Sequence, residues 1–189
     1  MTEFELYLQS KQELTRLAQA EGLIFLAYYD EYFARIYNYI RYRCGDTGLA
    51  EDLTALVFEK ALAKFRSFRH ERGRFSAWLF TIARNEVNAH FRRSIWSAAF
   101  SIETVDDHPS QTPSPEEACI TNETLSALFS ALGGLSQRER DVLGLKFSAR
   151  FSNRQIAGMT NLSEGNVAII VYRAIQKLRR VLLDPEVAQ

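Results

Sequence analysis

Residues 152–180 read S-N-R-Q-I-A-G-M-T-N-L-S-E-G-N-V-A-I-I-V-Y-R-A-I-Q-K-L-R-R and predict two helices separated by a tight turn. Ser152 is followed three residues later by Gln155, a capping-box pattern that begins a short helix. Ser163 is placed to cap a second, longer helix after the turn. This layout predicts a helix-turn-helix, whose second helix enters the DNA major groove. The alternative is an ordinary helical hairpin at the end of an α-helical domain.

The longer helix has one apolar stripe, with spacings of four, three and four residues. The stripe consists of Val167, Val171, Ala174 and Leu178. Basic side chains lie off or beside this stripe, at Arg173, Lys177, Arg179 and Arg180. The helix therefore has one side suited to packing and a basic C-terminal half suited to DNA.

Composition places the 189 residues in one domain or two small ones, and 47% hydrophobic residues are enough for real cores. No apolar run approaches the length of a membrane span, and the acidic N-terminus lacks a signal-peptide pattern. We therefore expect a cytoplasmic protein without membrane insertion. Cys44 and Cys119 are expected to be free thiols. Neither they nor the three histidines have metal-ligand spacing, so no metal and no cofactor are predicted.

The formal net charge is zero, but the charges are strongly segregated along the chain. Residues 64–93 carry eight Lys/Arg and two Asp/Glu, net +6, and residues 127–189 carry nine and five, net +4. The segments 1–63 and 94–126 are acidic, at net −4 and −6. Two basic segments, each coinciding with a motif, favour nucleic-acid binding over an ordinary solvated face.

The chain reads as all-helical. Helices are predicted over 3–20, 22–43, 49–65, 76–93 and 116–132, with another that begins at a capping box, Ser136 with Glu139. Apolar faces are predicted on three of them. These faces consist of Leu26, Tyr29, Phe33, Ile36, Tyr37 and Ile40; of Leu53, Leu56, Val57, Ala61 and Leu62; and of Val142, Leu143, Leu145 and Phe147.

Residues 94–115 hold three of the four prolines and no Lys or Arg, which predicts a flexible linker between two small helical domains. The domains are accordingly 1–93 and 116–189. A capping pattern at Ser114, Pro115 and Glu117 predicts the start of the second domain.

A basic loop with interleaved aromatics, F-R-S-F-R-H-E-R-G-R-F, spans residues 65–75. Aromatic rings offer surfaces on which bases stack, and neighbouring arginines hold phosphates, which are the requirements for single-stranded DNA binding. The following helix adds polar side chains, while Trp78 is expected to lie under the loop as a structural aromatic.

Four motifs in this order resemble bacterial RNA polymerase sigma factors of the sigma-70 family, in the extracytoplasmic-function (ECF) type that has only regions 2 and 4. The motifs are A-E-D-L-T-A-L-V-F at 50–58, F-S-A-W-L-F-T-I-A-R-N at 75–85, L-S-Q-R-E-R-D-V-L at 135–143 and Q-I-A-G-M-T-N-L-S-E-G-N-V at 155–167. The resemblance covers about residues 22–93 and 116–183. It implies a region 2 helical bundle and a region 4 helix-turn-helix.

The resemblance implies that the helix after residue 49 docks on the β′ clamp helices of core RNA polymerase. The implied contacts are Glu51, Asp52, Ala55, Leu56 and Glu59. It further implies that the segment 68–93 recognises the −10 element and captures flipped bases. The implied −10 contacts are Arg66, Phe68, Arg69, Arg72, Arg74, Arg84, Asn85, Asn88 and Arg92.

The resemblance implies that region 4 binds the −35 element as duplex and touches the β flap, and that an anti-sigma factor is a partner. The implied −35 contacts are Arg150, Asn153, Arg154, Ser163, Glu164, Asn166, Ile169, Ile170, Arg173 and Lys177.

Two places depart from the family pattern. Family members often have Gln at position 55 and an acidic residue at 56, and an exposed Leu56 would alter the polymerase contact. They often have Lys, Ser and Arg where Ala168, Ile169 and Ile170 stand. Bidentate readout of guanine is therefore absent there, and the isoleucines contact thymine methyl groups or join the core.

Three classes of function remain at this point. A promoter-specificity subunit explains both basic segments, and a polymerase-independent helix-turn-helix regulator explains only the second. A sigma-like protein-interaction module is favoured by the apolar run at 168–170. An enzyme is disfavoured because no nucleophile–base set, phosphate loop or metal spacing is present.

Overall fold

The computed structural model describes the backbone of residues 3–68, 74–100 and 118–183, and the side chains of 22–68, 74–94 and 125–183. Within these ranges the chain forms seven α-helices and one 3-10 turn, Phe65–Ser67, without β-strands. The helices are α1 Glu3–Cys44, α2 Thr47–Lys64, α3 Phe75–Phe100, α4 Ala118–Gly133, α5 Gln137–Phe147, α6 Asn153–Thr160 and α7 Glu164–Leu183. The all-helical prediction is confirmed for the described part of the chain. None of the described helices is both long and apolar enough to span a membrane.

Helix α1 is continuous across the two helices predicted at 3–20 and 22–43, because Gly22 alone costs a helix only about 1 kcal/mol. Its buried face also differs from the predicted one. Phe25, Tyr39 and Arg43 are buried, while Leu26 is 54% exposed. Helix α1 packs on α2, α3 and α5 together, so its buried side includes Arg43 as well as apolar residues.

Ring contacts explain the other aromatic residues of the predicted α1 face. Tyr29 and Phe33 are exposed on one edge, yet both rings lie against Phe58 of α2, at 4.7 and 6.1 Å between centroids. They are therefore partly packed rather than central to the core.

Helices α2 and α3 carry two further differences from the sequence prediction. Leu62, predicted on the apolar face of α2, is 56% exposed because Val57 and Ala61 already fill the side that meets the core. Helix α3 continues to Phe100, seven residues into the segment predicted as linker. No proline or glycine occurs between residues 94 and 100, so nothing local ends the helix there.

The capping residues that begin the helices in the second half of the chain are largely as predicted. Both capping boxes are present, Ser136 with Glu139 and Ser152 with Gln155. Phe147, predicted to be apolar and buried, is 56% exposed because α5 turns Val142 and Leu145 towards the core instead. The cap predicted at 114–117 lies outside the described residues.

The two helical units pack against each other through one continuous cluster of buried side chains drawn from α1–α3 and α5–α7. Phe80 of α3 meets Phe151 edge-on at 5.4 Å between centroids. Arg35 of α1 donates hydrogen bonds to the carbonyls of Ser148 and Ala149, at 3.2 and 2.5 Å. A smaller cluster joins α4, α5 and α7. The described helices therefore form one packed body.

Candidate polymerase and nucleic-acid interfaces

The acidic side of α2 faces solvent. Its N-cap Asp46 accepts a hydrogen bond from Leu49 N at 2.6 Å, which fixes where the helix begins. Among the predicted polymerase contacts, four are exposed: Glu51, Asp52, Ala55 and Glu59. Leu56 is half-buried and packs against the core, so it is not the exposed apolar residue that its departure from the family pattern suggested. The exposed face is therefore acidic.

Phe75, at the end of the basic loop, is the centre of an aromatic cluster that also includes Phe68 from the first part of the loop. Its ring is buried and stacks on Tyr28 at 3.9 Å between centroids. Phe68 and Trp78 contact Phe75 at 5.4 and 5.3 Å and each other at 5.2 Å. Trp78 is half-buried and lies against the aromatic anchors of the loop, as predicted. The cluster holds the two ends of the loop at the start of α3.

The predicted −10 contacts separate into four groups. The exposed ones are Arg66, Arg74, Asn85 and Arg92. Phe68 is half-buried in the aromatic cluster, and Arg69 and Arg72 lie outside the described residues. The remaining two, Arg84 and Asn88, lie half-buried where α3 meets α1 and the second half of the chain.

Arg84 and Asn88 have specific partners. Arg84 Nε donates to Asp141 Oδ2 at 2.9 Å, and Arg84 Nη1 donates to the carbonyl of Met159 in α6 at 2.9 Å. Asn88 Oδ1 accepts from Arg43 Nη2 at 2.9 Å. These two side chains, which were predicted to touch DNA, are therefore engaged within the protein.

Asp141 of α5 is the acceptor at the centre of this contact. It is buried, and besides the hydrogen bond from Arg84 it accepts one from the Tyr39 hydroxyl at 2.7 Å and forms an ion pair with Arg43, with 2.5 Å between Nη1 and Oδ1. Burial is the main cause that raises the pKa of the Tyr39 hydroxyl, and the adjacent Asp141 carboxylate raises it further. The hydroxyl therefore keeps its proton and donates it in the hydrogen bond. The sequence prediction missed Tyr39, Arg43 and Asp141 as a set. The sequence offered one sign of this cluster, a charged Asp141 next to Val142 on the apolar face of α5. That sign does not identify the partners of Asp141, which lie 57 to 102 residues away in the sequence.

The helix-turn-helix forms as predicted. Helix α6 ends at Thr160, and its C-cap residue Asn161 adopts the left-handed conformation with φ 56°. Ser163 Oγ accepts from Asn166 N at 3.2 Å at the start of α7. Buried Ile156 and Val167 join the two helices within the core. Helix α7 therefore has a fixed orientation on α6.

Most predicted −35 contacts are exposed: Arg150, Arg154, Ser163, Glu164, Asn166, Ile169, Arg173 and Lys177. Asn153 and Ile170 are half-buried. Asn153 accepts from Lys146 Nζ at 2.9 Å. Ile170 packs against the core, whereas Ile169 is 48% exposed. Within the apolar run at 168–170, Ile170 therefore contributes to packing and Ile169 faces solvent.

Lys177 forms an ion pair with Glu139 of α5, with 2.8 Å between Nζ and Oε1. Burial alone would raise the pKa of Glu139, but hydrogen bonds from Lys177 and Ser136 outweigh it and lower that pKa. Glu139 thus caps α5 and also holds Lys177.

An acidic helix, a basic segment anchored by aromatics and a helix-turn-helix together define a DNA-binding transcription factor. The chain matches the family model Sigma-70 region 2 over residues 28–97 and Sigma-70, region 4 over residues 131–180. The ECF RNA polymerase sigma factor BldN of Streptomyces coelicolor is 34% identical over 173 residues, which are 91% of this chain and 66% of BldN.

The ECF RNA polymerase sigma factor SigL of Mycobacterium tuberculosis is 30% identical over 169 residues, which are 88% of this chain and 93% of SigL. Among solved structures, the sigma factor RpoE of Bartonella quintana, in complex with the anti-sigma factor NepR, is similar with a TM-score of 0.65 at 27% identity. That similarity covers 85% of this chain and 97% of RpoE. The chain belongs to the ECF RNA polymerase sigma factors, and its function is promoter-directed transcription initiation.

Proposed function

We propose that the two halves of this sigma factor divide the promoter between them. Residues 1–93 bind core RNA polymerase and recognise and melt the −10 element, and residues 116–189 bind the −35 duplex. The observation that carries this division is a set of exposed polar side chains that begins at the aromatic cluster, with Arg74 directly before Phe75 and with Asn85 and Arg92 further along α3. Charge next to aromatic rings suits unpaired strands, whereas a capped helix-turn-helix suits a major groove.

The exposed acidic face of α2 binds the clamp helices of the polymerase β′ subunit, and region 4 contacts the β flap. The support is that Glu51, Asp52 and Glu59 all lie in solvent on one rigid helix. Charge complementarity with a basic partner speeds and orients docking. We place the protein in the cytoplasm and assign it no catalytic step, because a sigma factor acts by binding. An anti-sigma factor is a further partner, as it is for RpoE of Bartonella quintana.

Run-off transcription with purified core polymerase and a promoter library tests the proposal. Arg74→Ala with Arg92→Ala is expected to lower open-complex formation at least about tenfold, because phosphate contacts to the melted strand are lost. Binding of duplex −35 DNA is expected to stay within about twofold. Arg93→Ala, exposed on the same helix, is the matched control.

Equal losses of duplex binding and open-complex formation in the double variant would contradict the division of labour.

The polymerase contact is tested separately with Asp52→Lys, which is expected to weaken core binding. Glu31→Lys, on the exposed surface of α1, is the control. If both variants bind core polymerase equally well, the acidic face of α2 is not the polymerase contact.

A further inference from the structure

Helix α7 has one side that points directly away from the core. Val167 and Ala174 are completely buried and fix the inner side of the helix. At 3.6 residues per turn, the residues opposite them form a single line along the outer side. This outer line consists of Gly165, Ile169, Tyr172 and Gln176, all of them exposed. Because the second helix of a helix-turn-helix enters the major groove, the outer line is the part of α7 that comes nearest to the base edges.

The centre of the outer line is apolar. Ile169 is 48% exposed and Tyr172 is 65% exposed, although isoleucine is one of the residues most often buried. Ile169 is the sixth residue of α7, counting Glu164 as the first. It therefore lies in the N-terminal part of the helix, which contacts base edges in helix-turn-helix proteins. Single exposed apolar residues are common on protein surfaces, so it is the position of Ile169 that points to DNA.

Gly165 leaves the space beside Ile169 open. It lies one turn before Ile169, and helical side chains lean towards the N-terminus, so the Ile169 side chain extends towards the position of residue 165. Neither packing nor backbone conformation requires a glycine there, because a Cβ atom would meet nothing within 4 Å and φ is not positive. Close approach of an outside surface to the backbone is the remaining physical reason for a glycine. The missing side chain lets a DNA groove reach Ile169.

The basic side chains of the helix-turn-helix lie away from this apolar centre. No Lys or Arg occurs between Arg154 and Arg173, so the first turns of α7 offer no guanidinium or ammonium group to a guanine. Lys177 is held by Glu139 of α5, with 2.8 Å between Nζ and Oε1. Arg173 is exposed in the second half of the helix, where it suits a phosphate. The position best placed for base reading therefore carries hydrocarbon and not charge.

The major groove offers one group that hydrocarbon recognises. All base pairs present hydrogen-bonding groups there, and among the four unmodified bases only thymine adds a methyl group, on C5. An isoleucine side chain forms no hydrogen bonds, so above a G·C pair it would remove water from polar groups without replacing it, which lowers affinity. Above a thymine, contact between the two hydrocarbon groups buries apolar surface and raises affinity.

We propose that Ile169 reads the 5-methyl group of a thymine in the −35 duplex, so that a T·A pair is selected at this point of the element. Tyr172 extends the same apolar surface along the groove. The inference rests on the proposed binding of the −35 duplex by residues 116–189, and it names the base that α7 selects. Burial of one methyl group favours thymine over a base without it by about three- to fivefold in affinity.

Deoxyuridine provides the test, because it pairs with adenine as thymine does and lacks only the 5-methyl group. Promoters are taken from the library used for run-off transcription, in which the transcript start sites locate the −35 element. Holoenzyme assembled from core polymerase and the full chain is bound to promoter duplexes in which deoxyuridine replaces one thymine at a time. Replacement of the thymine that faces Ile169 is expected to weaken binding about three- to fivefold. Replacement of thymines between the −35 and −10 elements is expected to change nothing.

Variants assign the methyl contact to one side chain. Ile169→Ala is expected to bind the thymine and deoxyuridine duplexes equally, whereas Ile169→Val, which keeps two methyl groups, is expected to retain most of the preference. A loss of folding would weaken binding to both duplexes alike and leave their ratio unchanged. Leu183→Ala is the matched control, because it removes an exposed aliphatic side chain from the far end of the same helix. It is expected to keep the full preference for thymine.

Three outcomes would overturn the inference. If deoxyuridine weakens binding at no thymine of the −35 element, no methyl group is read there. If Ile169→Ala keeps the preference of the unmodified chain, another side chain reads the methyl group. In both cases the −35 role proposed for residues 116–189 stands, provided that scrambling the whole element weakens binding of the holoenzyme. If scrambling has no effect, the proposed −35 role fails together with the inference.

Discussion

Burial sets the reactivity of Cys44, which lies half-buried as the last residue of α1. Its environment raises the pKa of the thiol to about 11, chiefly because burial disfavours the charged thiolate. At pH 8, about 0.1% of such a thiol is ionised, against about a quarter of an ordinary thiol with pKa ~8.5. In a Cys119→Ser variant, we therefore expect iodoacetamide to alkylate Cys44 at least about tenfold more slowly than in the urea-unfolded chain, as measured by mass spectrometry.

The same shift in the pKa of Cys44 makes stability depend on pH. Between pH ~8.5 and about 11 the folded thiol keeps a proton that the unfolded chain has lost, so the free energy of unfolding falls as pH rises through this window. The contribution is fully present below pH ~8.5. Replacement by serine should remove this part of the pH dependence. Alkylation of folded and unfolded chains at equal rates would contradict the burial of the thiol.

At the scale of elements, the capping box of α5 is tied to α7 through Glu139. Because its folded-state pKa is lowered, Glu139 contributes stability that is present above the unfolded value of ~4.3 and lost as pH falls through the folded value. Glu139→Gln is therefore expected to cost about 0.5–1 kcal/mol at pH 7 and almost nothing at pH 3, by urea denaturation. Glu164→Gln, on the exposed first turn of α7, is the control. An equal cost at both pH values would show that charge is irrelevant there.

Helix starts that are fixed by a capping residue close in the sequence were predictable from the sequence. Ser136, Ser152 and Ser163 each cap a helix as predicted, because the donor they satisfy lies only three residues away. The buried side of α1 was not predictable in full. Its position depends on α5, more than ninety residues later, which brings Tyr39 and Arg43 inward and leaves Leu26 in solvent.

At the scale of the whole molecule, the candidate site was predictable only in part. The acidic face of α2 could be placed because it lies on one helix, and most of the exposed −35 contacts could be placed because they lie on or next to the two helices of the helix-turn-helix. The engagement of Arg84 and Asn88 could not, because it requires that α3 and α5 meet, which no local spacing encodes. The same polar residues suit DNA and an internal acceptor, so the sequence alone does not decide between them.

Arg35 provides a second, independent connection between the halves. Its guanidinium donates to the Ser148 and Ala149 carbonyls just beyond α5, where the end of a helix leaves carbonyls without intrahelical donors. It also lies over the Tyr32 ring, with 4.8 Å from Cζ to the ring centroid. These bonds join region 2 to region 4 directly, so we expect them to couple the unfolding of the two regions.

We therefore expect Arg35→Ala to lower the free energy of unfolding by about 1.5–3 kcal/mol, the usual range for hydrogen bonds to a charged group. The single calorimetric transition expected of the unmodified chain should separate into two, with region 2 and region 4 unfolding independently. Arg93→Ala, an exposed arginine on α3, should leave one transition at the original midpoint. If Arg35→Ala also keeps one transition, the coupling between the halves does not depend on the carbonyl bonds and resides in the other contacts, such as Phe80 with Phe151 and the side chains around Asp141.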